Sequence, residues 1–410
     1  MTDSPLSRRD LIKSAGTGVL AFGVGVGINE RMSRYVVGSV SDVGAGAASS
    51  VSDTDAQRLN LTDHTPWRLV RGTFSPTRIE SLRSRSDIPF VQPDRWLETL
   101  SSSSHHDGDE RTVPWGVARI GATTLHDVDR TAAGVDIGII DSGIDPTHPG
   151  VTDNLAPTSV DGAHRSWVSC QGEECVQPWA DDGGHGTQVA GIAAAADRSG
   201  GVVGVAPDAT LHALKVCGPA GRCRTSAMIE AIRYAADRDW DVINLSLGSL
   251  RGSPALRAAG EYAVEAGIVP VAAAGNQGRP DSVSYPAAYD EFLGVAATTI
   301  DDEIAGFSSR GPGVDIAAPG RDICTPVPDG HDTQSGTSMA TPHVAGAVGH
   351  LIADGASAAE ARTRLRETAE DLGTSPAEQG AGLVDVAAAL GYEHDGDTGD
   401  GVSCPSDASV

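Results

Sequence analysis

Lysine is nearly missing from this chain: of 30 basic residues in 410, only Lys13 and Lys215 are lysines. Aromatic residues make up 4%, and 55 acidic residues against 30 basic ones give a formal charge of −25. A chain so short of positive charge repels polyanions, which argues against nucleic-acid partners and against docking on anionic membranes. Long apolar runs are lacking too. The one candidate, Ala15 to Ile28, is too short and Gly-rich for a comfortable membrane span. No Cys-x-x-Cys pair occurs, which weakens a zinc reading of the cysteines, and no internal repeat is found.

What is present has the profile of a globular chain: 40% apolar residues, 21% charged and 50 glycines, in a length that holds one or two domains. Near the start, Ser7-Arg8-Arg9-Asp10-Leu11-Ile12-Lys13 precedes the apolar run. Paired arginines ahead of a short apolar stretch resemble a twin-arginine export signal, predicting residues 1–30 as signal and an extracellular destination. No clear small-x-small cleavage site follows, so a retained, surface-associated anchor stays open, while no nearby cysteine offers a lipid site. Six cysteines suit that destination. Cys170 lies near Cys175 and Cys217 near Cys223, which predicts two local disulfides and leaves Cys324 and Cys404 as a third pair.

Residues 31 to about 100 read as a small α+β unit. Tyr35 to Val37, Trp67 to Val70 and Ile88 to Val91 are strand-like. Ser75-Pro76 supplies an N-cap and a first-turn proline ahead of the stripe Ile79 and Leu82. Ser101 to Arg111, polar and serine-rich with His105 and His106, has the composition of a linker open to proteolysis. From Val113 the pattern changes. Apolar runs at Val135 to Ile140, Leu211 to Val216, Val242 to Leu245, Ile268 to Ala272 and Phe292 to Ala296 alternate with helical patterns at Ser226 to Asp237 and Pro254 to Ala266. That alternation predicts an α/β fold: a mainly parallel sheet covered on both faces, with ligands bound beyond the carboxyl ends of its strands. Residues 392–410, acidic and Gly/Ser-rich, read as a flexible tail.

Five segments carry chemistry. Asp141 closes the first apolar strand in DSGID, where a half-buried carboxylate can orient an imidazole. His185 stands between glycines at a helix start in GHGTQVAG, and Ser338 opens another helix in GTSMATPHVAG. NLSLG at 244–248 and AAAGN at 272–276 complete the set, the latter ending on Asn276. Singly each has an ordinary explanation: a strand-end turn, a surface histidine, an N-cap serine, a buried strand. Together, in the order Asp, His, Ser, they resemble the subtilisin family over residues 113–391. Val113-Pro114-Trp115-Gly116 and Gly382-Leu383-Val384-Asp385 extend the likeness to both ends of that region.

The resemblance implies a subtilisin-like three-layer fold preceded by an α+β inhibitory propeptide with its cleavage linker, residues 31–112. It implies a serine endopeptidase with Asp141, His185 and Ser338 as triad and Asn276 with the Ser338 N–H as oxyanion hole. Ser246, Leu247 and Gly248, with the segment at Gly221, Arg222 and Cys223, would bind an extended peptide. Ala273, Gly275 and Ser284 would help wall the primary pocket, whose base carries no charge and so suits a large uncharged side chain. Implied partners are protein and peptide substrates and the chain's own propeptide as intramolecular inhibitor, in a monomer. No cofactor is required. Relatives often bind calcium, but the matching positions here are Gly150, Arg198 and Arg111, which lack the oxygen ligands. A weaker calcium or monovalent-cation site near Asp315, with carbonyls around Ala287 and Tyr289, stays open.

Three functions compete: a broad endopeptidase, a narrow processing protease, and a protease-like binding protein without catalysis. The last would normally lack a motif residue, and none is missing. The acidic, lysine-poor composition resembles secreted proteins of salt-loving archaea, although a GC-rich genome would also favour Ala, Gly and Arg.

Overall fold

The computed structural model describes residues 33–54, 56–100, 102–106, 113–172, 175–196, 201–327, 330–394, 396 and 404. The twin-arginine segment, Arg111 and Arg198 lie outside these. The chain divides into two units, Met1–Asp94 and Arg95–Val410.

In the first unit, strands Gln57–Leu61, Trp67–Phe74, Ser33–Ser39 and Phe90–Pro93 lie side by side in that order, all antiparallel. Helices Asp42–Ser50 and Pro76–Arg83 give the chain order βαββαβ, the split βαβ arrangement. Val37, Val70, Phe74, Ile79, Leu82 and Ile88 form its core. The first helix has no stripe of large apolar residues to announce it. Its Ala45 and Ala48 pack into that core, and Ser41 caps it by accepting from the Gly44 N–H at 2.9 Å. Ser75 precedes the second helix as expected, but its hydroxyl makes no capping bond.

The second unit is built on seven parallel strands. Their order across the sheet is Ile316–Pro319, Leu293–Thr298, Val269–Ala273, Val242–Leu245, Asp136–Asp141, Thr210–Lys215 and Arg165–Ser166. The central strands are buried on both faces, which is why they read as continuous apolar runs rather than as alternation. Helices His185–Ala194 and Thr337–Ala353 pack together against the sheet, and Thr225–Ala236 and Pro254–Glu265 form a second such pair. The result is the three-layer α/β fold expected. The expected strands fall within one or two residues of those observed.

Two segments are more ordered than their composition suggests. Ser102–His106, inside the expected linker, pairs antiparallel with Gly330–Ser335. In the C-terminal segment, Cys404 is bonded to Cys324, and His394 Nε2 lies 3.1 Å from the Arg119 carbonyl oxygen. Cys170–Cys175 and Cys217–Cys223 are disulfides as well, so no cysteine is free.

Candidate active site

The strand Asp136–Asp141 delivers a fully buried carboxylate at its carboxyl end. Facing it, His185 begins a helix whose next residue must be small: a side chain on Gly186 would collide with the Gly143 carbonyl oxygen. His185 Nδ1 lies 2.8 Å from Asp141 Oδ1, which also accepts from the Ser142 N–H at 2.7 Å. A carboxylate only accepts, so the imidazole N–H sits on Nδ1 and Nε2 is left as the basic atom. That Nε2 is buried and has no hydrogen-bond partner among the described residues. Burial by itself lowers the affinity of His185 for a proton. The charge and hydrogen bond of Asp141, with the charge of Asp181, outweigh it and hold the imidazole above its ordinary pKa.

Two residues not singled out in the sequence complete this corner. Asp181 accepts from the N–H groups of Gly183 and Gly184, both at 2.9 Å, and from the Thr187 N–H and hydroxyl at 2.8 and 2.7 Å. It thereby holds the turn that carries His185. Lys215, paired in register with Asp141, is fully buried and donates to the Ser142 carbonyl and to Asp182 Oδ1. One ammonium thus ties the end of the Asp141 strand to the loop before His185. The available signals were the acidic pair ahead of GHG and the survival of a lysine in a chain that otherwise uses arginine.

Ser338 lies in the first turn of the helix Thr337–Ala353, where backbone N–H groups have no partners within the helix. Pro342, four residues on, has no N–H to give the Ser338 carbonyl, and the Ser246 hydroxyl supplies that bond instead at 2.8 Å. In return the Ser338 hydroxyl donates to the Ser246 carbonyl at 2.9 Å. Ser246 is thereby bonded to Ser338, and the two residues after it, Leu247–Gly248, form the strand that pairs with Glu98 and Thr99. The serine hydroxyl is thus turned to a backbone oxygen and is not hydrogen-bonded to His185 Nε2.

Asn276 is oriented from behind. Its Oδ1 accepts from the Thr337 N–H and hydroxyl, each at 2.9 Å, which leaves Nδ2 to point outward. Nδ2 donates to the carbonyl oxygen of Leu100 at 2.8 Å. Trp96–Thr99, just before Leu100, runs as the middle strand between Arg222–Arg224 and Leu247–Gly248, antiparallel to both. The Thr99 N–H donates to the Gly221 carbonyl at 3.0 Å. Gly221 has φ +65°, and a side chain there would strike Thr99 Oγ1, so glycine is required at this crossing. Around Leu100 the wall is narrow. A methyl group on Gly248 would stand 3.4 Å from Leu100 Cδ1 and 2.9 Å from Ser284 Cβ. A side chain on Gly275 would meet the Ser284 hydroxyl, and Ala273 ends its strand, buried, two residues earlier. The disulfide Cys217–Cys223 closes the loop that carries Arg222–Arg224.

The residue model of the "Subtilase family" matches residues 132–382. The chain belongs to the subtilase family. Subtilisin E of Bacillus subtilis (strain 168) is 35% identical over 365 residues, 87% of this chain and 90% of that protein. Subtilisin of Bacillus pumilus is 41% identical over 285 residues, covering 68% and 99% of the two. An alkaline protease of Shouchella clausii is 34% identical over 370 residues, covering 89% and 90%. This subtilase is a serine endopeptidase of the subtilisin type.

Gly150 and Asp315, two of the positions weighed for a cation, lie among the described residues. Gly150 has no side-chain oxygen, and its carbonyl accepts from the Ala196 N–H at 2.9 Å. Beside Asp315, the Arg362 guanidinium donates to the carbonyls of Asp290, Glu291 and Phe292 at 2.7 to 3.0 Å and lies 3.7 Å from the carboxylate. A positive group therefore already stands beside the Asp315 carboxylate. Among the described residues, one cluster has metal-ligand composition, Cys170, Cys175 and Asp182, and its two sulfurs are bonded to each other.

Proposed function

We propose that this subtilase is an exported endopeptidase that cuts its own chain between Leu100 and Ser101 and then cleaves extended proteins by the same chemistry. Ser338 Oγ attacks the carbonyl carbon while His185 Nε2 takes its proton. Asp141 keeps the proton on Nδ1 and stabilises the imidazolium that forms. The carbonyl oxygen becomes an oxyanion held by Asn276 Nδ2 and the Ser338 N–H, at a helix N-terminus whose dipole favours negative charge. The imidazolium returns the proton to the leaving amine as the C–N bond breaks. Water then enters by the reverse route, with His185 again the base, and releases the acyl group from Ser338. Export rests on Arg8-Arg9 and the apolar run behind them.

The observation that carries this reading is the hydrogen bond from Asn276 Nδ2 to Leu100 O, on a segment already paired on both sides as a substrate strand. It favours a cut at the start of the polar linker rather than beside Val113. It also supports a preference for a large uncharged side chain at the cut, the role Leu100 fills against Gly248. Main-chain pairing makes few demands on sequence and suits a broad endopeptidase. The test is N-terminal sequencing of the purified product from the full chain and from its Ser338→Ala variant. The reading requires Ser101 as the new terminus in the first and an uncut chain in the second. A first terminus at Val113, or processing of the variant with no other protease present, would overturn it.

A further inference from the structure

We propose that the cleft carries a subsite for an aromatic side chain at the fifth residue before the cut, formed by the guanidinium groups of Arg222 and Arg224. This inference rests on the reading of Leu100–Ser101 as the cut bond, which makes Trp96 that fifth residue. In the antiparallel register Trp96 stands opposite Arg224 and two pairs away from Arg222, which stands opposite Glu98. The two arginines are two residues apart on one strand and so share a face. Both are found over the indole: Cζ of Arg224 lies 3.9 Å from a ring centroid and that of Arg222 4.8 Å.

The position of the ring argues for recognition rather than ordinary burial. Trp96 is 42% exposed, whereas its neighbour Leu97, facing the other way, is 3% exposed. Leu97 is therefore buried, while Trp96 stays at the surface and is covered by cations. Among the described residues neither arginine forms an ion pair, in a chain where carboxylates outnumber basic groups 55 to 30. Their planar faces are thus available to a ring, and the negative face of an aromatic system is what a guanidinium stacks on. Arginine suits this better than lysine, whose ammonium is more strongly hydrated and has no plane. The Cys217–Cys223 disulfide anchors the strand between the two arginines, because Cys223 is its middle residue. The arginines are thereby held in place before a peptide arrives, which reduces the ordering needed on binding. The ligand class is a peptide in extended conformation with Trp, or less favourably Tyr or Phe, at that fifth position.

The probe is a synthetic peptide with the sequence of residues 95–104, compared with a second peptide carrying alanine in place of the tryptophan. Each is given to the enzyme obtained from the full chain, and cleavage products are identified by mass. Two cation–π contacts of about 0.5–1 kcal/mol each correspond to roughly a five- to thirtyfold advantage in kcat/KM for the tryptophan peptide. In the Arg222→Gln, Arg224→Gln double variant that ratio should fall to near one, and Arg224→Lys should give an intermediate ratio. Because a ratio cancels the amount of active enzyme, a poorly folding variant cannot imitate the effect. Cleavage between leucine and serine with a ratio near one, or a ratio unmoved by the double variant, would overturn the subsite alone. Cleavage by the parent enzyme at another bond, or none, would overturn the assignment of the cut bond and the subsite with it.

Discussion

Replacing Lys215 with methionine should damage this enzyme more than any other single loss of positive charge. Both side chains of the Lys215–Asp182 pair are 0% exposed. Methionine fills a similar volume but strands the Asp182 carboxylate without its cation, and leaving one member of a buried pair uncompensated costs about 3–5 kcal/mol. For a fold whose whole stability is on the order of 5–15 kcal/mol, that is about a fifth or more. Asp182→Asn should be damaging for the same reason, with the ammonium stranded instead. Removing both charges together should recover most of the loss, because the pair repays little more than its own desolvation. The assay is the urea midpoint of the parent, both single variants and the double variant, each carrying Ser338→Ala to prevent self-digestion. The four midpoints form a double-mutant cycle with an expected coupling of at least about 2 kcal/mol. A Lys215→Met loss below about 1 kcal/mol, or a double variant as unstable as the sum of the singles, would refute the argument.

Asn276→Ala should lower kcat by ~10²–10³ with little change in KM, a magnitude carried over from the matching amide of subtilisin, since its bond strengthens as the oxyanion forms; steady-state kinetics showing an effect on KM alone would contradict the role. Burial pushes His343 and His350 down to about 4, so the fold holds both neutral while the unfolded chain protonates them near 6.5. Their contribution to stability is therefore complete above about pH 6.5 and lost as the pH falls toward 4, roughly 3 kcal/mol each, and unfolding midpoints that stay flat across that window would refute it. The raised pKa of His185 sets the acid limb of kcat/KM above the ordinary imidazole value, because catalysis needs the neutral base; Asp141→Asn should move that limb down as well as reduce the rate, and an unmoved limb would count against the pairing. Arg362→Met should lower the thermal midpoint and make it recoverable by calcium, whereas the parent should ignore both calcium and chelator; a parent strongly stabilised by calcium would show that the guanidinium does not replace the ion.

The sequence alone determined the α/β class, five of the seven strands of the large sheet and the five segments around Asp141, His185, Asn276 and Ser338. Those features are local: buried parallel strands are continuous apolar runs, and residues at strand ends and helix starts sit inside short motifs whose glycines meet steric needs such as the contact of Gly186 with Gly143. The long-range partners were not legible. Thr337 orienting Asn276 across 61 residues, Ser246 answering the carbonyl that Pro342 leaves free, and Lys215 joining Asp182 to Ser142 are hydrogen bonds between segments with no sequence relation. The same holds for Arg362 lying beside Asp315 and for Ser102–His106, whose polar composition gave no sign of a strand. Above all, only the tertiary structure decided that Leu100 meets Asn276. A polar linker can be cut anywhere along its length by composition, and the proposed bond rests on strand register: Trp96–Thr99 pairs with two edges at one alignment, and that alignment brings the Leu100 carbonyl to the amide.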